Sequence, residues 1–178
     1  PNPFFPTQIL WINLVTDGFP ALALSVDPFE KNSMKVKPRR REEPLYRGLS
    51  PYLVFYPLMM TAAAIAVFSY VFLNEGNLIK AQTMTFLLIC VFELFQAFSC
   101  RSTEESAFNA GLFKNPWLLL AVAASATIAA LVLYVPSLQP LFGTTALAGW
   151  EVATIVVIAF SGFVVIEVAK GFRKSFGM

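Results

Sequence analysis

Asn13, Thr16 and Asp17 stand at positions i, i+3 and i+4 of an apolar stretch, and Gly18 and Pro20 follow directly. On an α-helix this spacing puts Asn13 and Asp17 on one face with Thr16 alongside, so an amide, a hydroxyl and a carboxylate oxygen converge. Pro20 has no backbone donor and would clash with the Thr16 carbonyl, while Gly18 tolerates unusual backbone angles; the helix is therefore expected to be interrupted at Gly18/Pro20. Interrupted backbone at membrane depth is tolerated only where protein or a polar cavity covers it. Oxygen donors without nitrogen or sulfur suit a hard cation such as Ca²⁺, which takes about six to eight oxygens in flexible geometry. A plainer reading is a proline kink whose freed carbonyls are met by Asn13 and Thr16, with Asp17 protonated.

Of the eleven acidic residues, only Asp17 and Glu93 fall well inside apolar stretches. An unpaired charge buried there costs several kcal/mol, so each needs a partner or a purpose. Facing each other across a bundle, the two carboxylates would carry up to two negative charges, which a divalent ion could neutralise. The alternative for Glu93 is a single protonated side chain hydrogen-bonded to a neighbouring helix. Glu151 and Glu167 lie within a turn of the ends of an apolar stretch, where they can reach the interface or pair with Lys170, and are read as structural. The chain has no histidine, so a zinc or haem site would lack its commonest nitrogen ligand. Cys90 and Cys100 would lie about 15 Å apart on one helix and could not bridge within it.

The elements that must hold these groups follow from composition. Of 178 residues, 57% are hydrophobic and 13% charged, about half the charged fraction of an ordinary soluble domain. Apolar stretches at residues 5–26, 52–73, 82–100, 117–135 and 150–169 are each long enough to cross a hydrocarbon core of about 30 Å. The expected architecture is an all-α membrane protein, a five-helix transmembrane bundle in a lipid bilayer. Twelve of the thirteen Lys and Arg fall in the connections 27–50 and 101–116 or in the C-terminal tail, and only Lys80 falls on the other side. By the positive-inside rule those connections and the C-terminus are cytoplasmic and Pro1 starts outside. A net charge of +2 gives no reason to expect nucleic acid as a partner. Alanine clusters at 62–66 and 121–130 suggest close helix packing, and Trp117, Trp150, Tyr46, Tyr52 and Tyr134 mark expected span ends. The chain opens Pro1-Asn2-Pro3 with neither an initiator methionine nor a signal peptide, so it is expected to be a piece of a longer protein.

The run from Gln8 to Leu24, Gln-Ile-Leu-Trp-Ile-Asn-Leu-Val-Thr-Asp-Gly-Phe-Pro-Ala-Leu-Ala-Leu, resembles the sixth transmembrane helix of type II P-type ATPases, most of all the sarco/endoplasmic-reticulum class of calcium pumps. The segment Pro38-Arg39-Arg40-Arg41-Glu42-Glu43-Pro44-Leu45 is similar to that family's Pro-Arg-x-x-x-Glu-Pro-Leu loop. The resemblance implies a C-terminal transport domain of an ATP-driven pump carrying Ca²⁺, with proton counter-transport, in which Asn13, Thr16 and Asp17 are ion ligands and Asp17 is shared between two sites. It implies Glu93 as the acidic ligand of the eighth helix, in a segment similar to Glu-x-x-Asn-Ala where Gln96 replaces Asn. Sodium/potassium pumps tend to have Asp at the place of Asn13, and plasma-membrane calcium pumps tend to lack the acid at Glu93. The short external connection 74–81 looks like a compact bacterial form, so the plasma membrane of a bacterium is the expected location. The aspartyl phosphorylation motif and the nucleotide-binding domain are absent from the sequence, so no catalytic or cofactor-binding residue is assigned. ATP and Mg²⁺ would act only in the full-length pump, whose remaining helices and cytoplasmic domains are the implied partners. A Mn²⁺ or Na⁺ pump, or a segment of a secondary transporter or channel, stays open as an alternative.

Overall fold

The computed structural model describes residues 1–28, 50–101, 106–111 and 113–176. Every regular element among them is helical. The N-terminal helix comes in three pieces: α1 (Pro6–Trp11), a π-helical segment (Ile12–Asp17) and α2 (Gly18–Leu24). Then come α3 (Ser50–Glu75), α4 (Leu78–Ser99), the single turn α5 (Ala107–Ala110), α6 (Pro116–Tyr134), the single turn α7 (Gln139–Phe142) and α8 (Gly149–Phe176). Among the described residues four helices are long and apolar enough to cross a membrane: Val54–Glu75 within α3, α4, α6 and Gly149–Gly171 within α8. The expectation of an all-α membrane bundle is met.

Helix ends depart from the hydropathy limits where polar groups find partners. Asn74 and Glu75 stay in α3, and Lys80 is already in α4, leaving only Gly76 and Asn77 between the helices. Gly76 turns the chain with φ of 65°, and the Asn77 side chain accepts from the Lys80 backbone N–H at 3.1 Å, capping α4. The Lys80 ammonium donates to Glu75 at 2.6 Å, so the charges that end the apolar run also hold the turn. At the far end α8 continues past residue 169, because Lys170 is buried against α4 and paired with Glu167. That Glu167–Lys170 pairing is the one read from the sequence; Glu151 instead meets Lys80 at 2.5 Å.

Helix α4 is the centre of the bundle. Thr83, Thr85, Phe86, Leu88, Cys90 and Phe92 are almost wholly buried, with α3 and α8 packed along it on one flank and the π segment and α6 on another. The closest approach is at Gly162 of α8, where a Cβ would run into the Phe92 ring and the end of Met59. The alanine clusters contribute less than their composition suggests. Ala64 and Ala129 are buried, while Ala62, Ala66, Ala123, Ala126 and Ala130 face outward. Trp117, Tyr134 and Trp150 are exposed at helix ends, as expected of rings at a membrane interface.

The three-piece N-terminal helix runs the full height of the bundle. At one end Thr7 donates to the Leu141 carbonyl at 3.0 Å, and Gln8, fully buried, donates to the Phe142 carbonyl at 3.1 Å. At the other, Asn115 donates to the Ala23 carbonyl at 3.0 Å and to Asp27 at 2.7 Å, and Arg101 bonds both Asp27 oxygens at 3.1 and 3.2 Å. The connection 101–116 thus lies at the end opposite to α7. The basic residues of the connection 27–50, from Lys31 to Arg47, lie outside the described residues.

Candidate cation site

The interruption of the first helix is real, and its form differs from the expectation. The backbone is widened into a π-helix before Gly18 rather than unwound at Gly18 and Pro20. Gly18 itself sits at φ of −63°, an ordinary helical angle, and does not use its freedom. Pro20 supplies the physical cause. Its ring would collide with the carbonyl four residues back, that of Thr16, and it has no N–H to offer that carbonyl. Opening the preceding turn to the i+5 pattern of a π-helix removes the collision.

A π turn takes in more residues than an α turn, so side chains three apart rotate away from each other. Asn13 and Thr16, which an α-helix would set side by side, are separated accordingly. Thr16 is 3% exposed and turned into the bundle, where its hydroxyl meets the Cys90 thiol at 3.7 Å. Asn13 and Asp17 share the exposed side of the segment. The Asn13 amide donates to the Ile9 carbonyl at 3.1 Å, leaving its own amide oxygen available. The convergence of all three side chains on one helical face therefore gives way to Asn13 and Asp17 outside and Thr16 at the α4 interface.

Glu93 is one turn further along α4 than Cys90, about 4.5 Å along the axis and on the same side as the Thr16 contact. Its Oε2 is buried with no hydrogen-bond partner. The π segment that carries Asp17 packs against α4, with Asp17 itself on the exposed side. Tyr56 of α3 packs edge-on against the neighbouring Phe92 ring and donates its hydroxyl to the Phe92 carbonyl at 2.7 Å. Among the described residues no group of three or more Cys, Asp, Glu and His gathers round one point.

Two residues near the site carried no signal in the sequence. Cys90 was considered only as a disulfide candidate; it is buried, unbridged, and receives the Thr16 hydroxyl. Ser125 of α6 lay unremarked in an alanine-rich stretch; it is 2% exposed and donates to the Val15 carbonyl at 3.1 Å. A hydroxyl in an apolar helix ordinarily bonds back to its own backbone, and only the fold can show that one reaches across.

Residues 1–172 match the family described as cation transporting ATPase, C-terminus. The chain is 42% identical over 149 residues to a calcium-transporting ATPase of Bacillus subtilis (strain 168), covering 83% of this chain and 17% of that protein. It is 30% identical over 190 residues to calcium-transporting ATPase 1 of Bacillus cereus, covering 98% of this chain and 21% of the relative. It is 33% identical over 175 residues to the human calcium-transporting ATPase type 2C member 2, covering 96% of this chain and 18% of the relative. The chain thus spans about a fifth of the length of these relatives. With a helical membrane bundle and a match running through nearly its whole length, this chain belongs to the C-terminal region family of cation-transporting ATPases.

Proposed function

We propose that this chain supplies one part of the ion-binding site of an ATP-driven Ca²⁺ pump, with Asp17 and Glu93 as its acidic ligands and Asn13 and Thr16 as neutral ones. The observation that carries the reading is the buried, unpartnered Oε2 of Glu93, on a helix packed against the π segment that bears Asp17. Two carboxylates sharing one site repel unless a cation or protons sit between them. Calcium and protons are then alternative occupants, and exchanging one for the other gives proton counter-transport. The relatives' names, calcium-transporting ATPases, favour Ca²⁺ over Mn²⁺ or Na⁺.

In this reading ATP and Mg²⁺ act in parts of the pump outside this sequence, and phosphorylation there shifts the helices between states that bind and release the ion. The pump is read as lying in the plasma membrane of a bacterium with Pro1 outside and the C-terminus cytoplasmic, a sidedness favoured by the Lys and Arg of the connections 27–50 and 101–116 and of the C-terminal tail. Helices from the remainder of the pump cover the exposed side of the π segment and complete the oxygen shell around Asn13 and Asp17. The test is Asp17→Asn in the full-length pump. It is expected to abolish calcium-dependent phosphorylation from ATP, and an unchanged apparent calcium affinity would overturn the assignment.

A further inference from the structure

Four threonines on the long helices use their hydroxyls locally. Thr83, Thr85, Thr127 and Thr154 each donate to the carbonyl four residues earlier in the same helix, at 2.7 to 2.9 Å. Ser125 does not. Its hydroxyl leaves α6 and donates to the carbonyl of Val15, in the middle of the π segment, at 3.1 Å. Donor and acceptor residues are both buried, at 2% and 7% exposure. The bond therefore has little competition from solvent.

A π-helical turn is rare and occurs mostly as a single turn inside an α-helix, often at a functional site. Val15 lies immediately before Thr16 and Asp17, so the position of its carbonyl sets where those two side chains leave the backbone. The Thr16 hydroxyl is fixed in turn by Cys90 on α4. The segment is thus gripped on its buried side by two neighbours, at the backbone by Ser125 and at the side chain by Cys90. Asn13 and Asp17 remain on the exposed side.

We infer that Ser125 is a positioning residue for the cation site, its hydroxyl holding the Val15 carbonyl and so fixing the π register that sets Asp17 on the side of Asn13. The inference rests on the ion-site reading above and concerns ion affinity rather than chemistry. Ser125 does not touch the ion; it acts through the Val15 backbone. Losing one buried hydrogen bond that supports the bound geometry lowers calcium affinity roughly tenfold.

The experiment is equilibrium binding of radioactive calcium to the purified full-length pump in the absence of ATP, comparing wild type, Ser125→Ala, Ser125→Thr and Asp17→Asn. Thermal unfolding without calcium reports on folding of each variant. Ser125→Ala is expected to bind about tenfold more weakly with the same number of ions at saturation, and Ser125→Thr, which keeps the hydroxyl, is expected to bind within about twofold of wild type. Wild-type affinity in Ser125→Ala, with binding reduced in Asp17→Asn, overturns this inference and leaves the ion-site reading standing. Weak binding in both Ser125 variants also overturns it, because the hydroxyl is then not the cause. Normal binding in Asp17→Asn overturns the ion-site reading and this inference with it.

Discussion

Glu93 is a carboxylate in an apolar helix whose one oxygen finds no donor, and the π segment packed against that helix carries a second carboxylate, Asp17. Removing its charge while keeping its shape separates its role as an ion ligand from its role in packing. In the full-length pump Glu93→Gln is expected to lower the number of calcium ions moved per ATP, measured as transport stoichiometry in sealed vesicles, and to leave expression and folding unaltered. An unchanged stoichiometry would assign Glu93 to packing alone. Asp17 and Glu93 could be read from the sequence because charged groups in apolar stretches are costly and therefore conspicuous. Ser125 and Cys90 could not, since small polar side chains are cheap to bury and their partners depend on which helices become neighbours.

At the scale of the helix, the π segment is a local cost that the site requires. Proline inside a helix costs about 3 kcal/mol relative to alanine, and Pro20 is what keeps the preceding turn from closing. Pro20→Ala restores a donor to the Thr16 carbonyl and permits an ordinary α turn, which would rotate Thr16 back toward Asn13. The expected result is a higher unfolding temperature without calcium together with weaker calcium binding, the two moving in opposite directions. A rise in both would mean that the site does not depend on the π register. The presence of the break was legible in Gly18 and Pro20, but its form and its exact place, the turn before Gly18, were not. Choosing between unwinding and a π turn depends on the packing of neighbouring helices, and here Ser125 of α6 meets the Val15 carbonyl inside the segment. Packing between helices has a comparable critical point at Gly162, where any Cβ meets the Phe92 ring. That ring is stacked edge-on against Tyr56, whose hydroxyl is bonded to the Phe92 carbonyl, so it has little room to yield. Gly162→Ala is expected to destabilise the membrane domain by about 1–3 kcal/mol through overpacking, read from thermal unfolding.

Across the described residues, ion pairs gather at the two ends of the bundle. At one end Lys80 joins Glu75 and Glu151. At the other, Arg101 and Asn115 hold Asp27, while Glu167 accepts from Ser99 at 2.5 Å, from Ser106 at 2.8 Å, from the Ala107 backbone at 2.6 Å and from Lys170 at 3.1 Å. The four long apolar helices were legible in hydropathy, whereas the first expected span proved to be three short helical pieces. Of these ties only Glu167–Lys170, three residues apart, was legible; most of the others join residues far apart in sequence, such as Glu167 to Ser99 and Asp27 to Arg101. The Glu167 cluster fastens the stretch after α4 to α8 and buries both members of an ion pair, at 5% and 4% exposure. Breaking such a pair from one side strands the other charge, at a cost of about 3–5 kcal/mol, whereas replacing both members with apolar groups is much less damaging. Glu167→Ala is therefore expected to lower the unfolding temperature of the full-length pump sharply, and Glu167→Ala combined with Lys170→Met to recover most of that loss. If the double variant is as unstable as the single one, the carboxylate's bonds to Ser99, Ser106 and Ala107 dominate the cluster, and its purpose is to hold the connection rather than to neutralise Lys170.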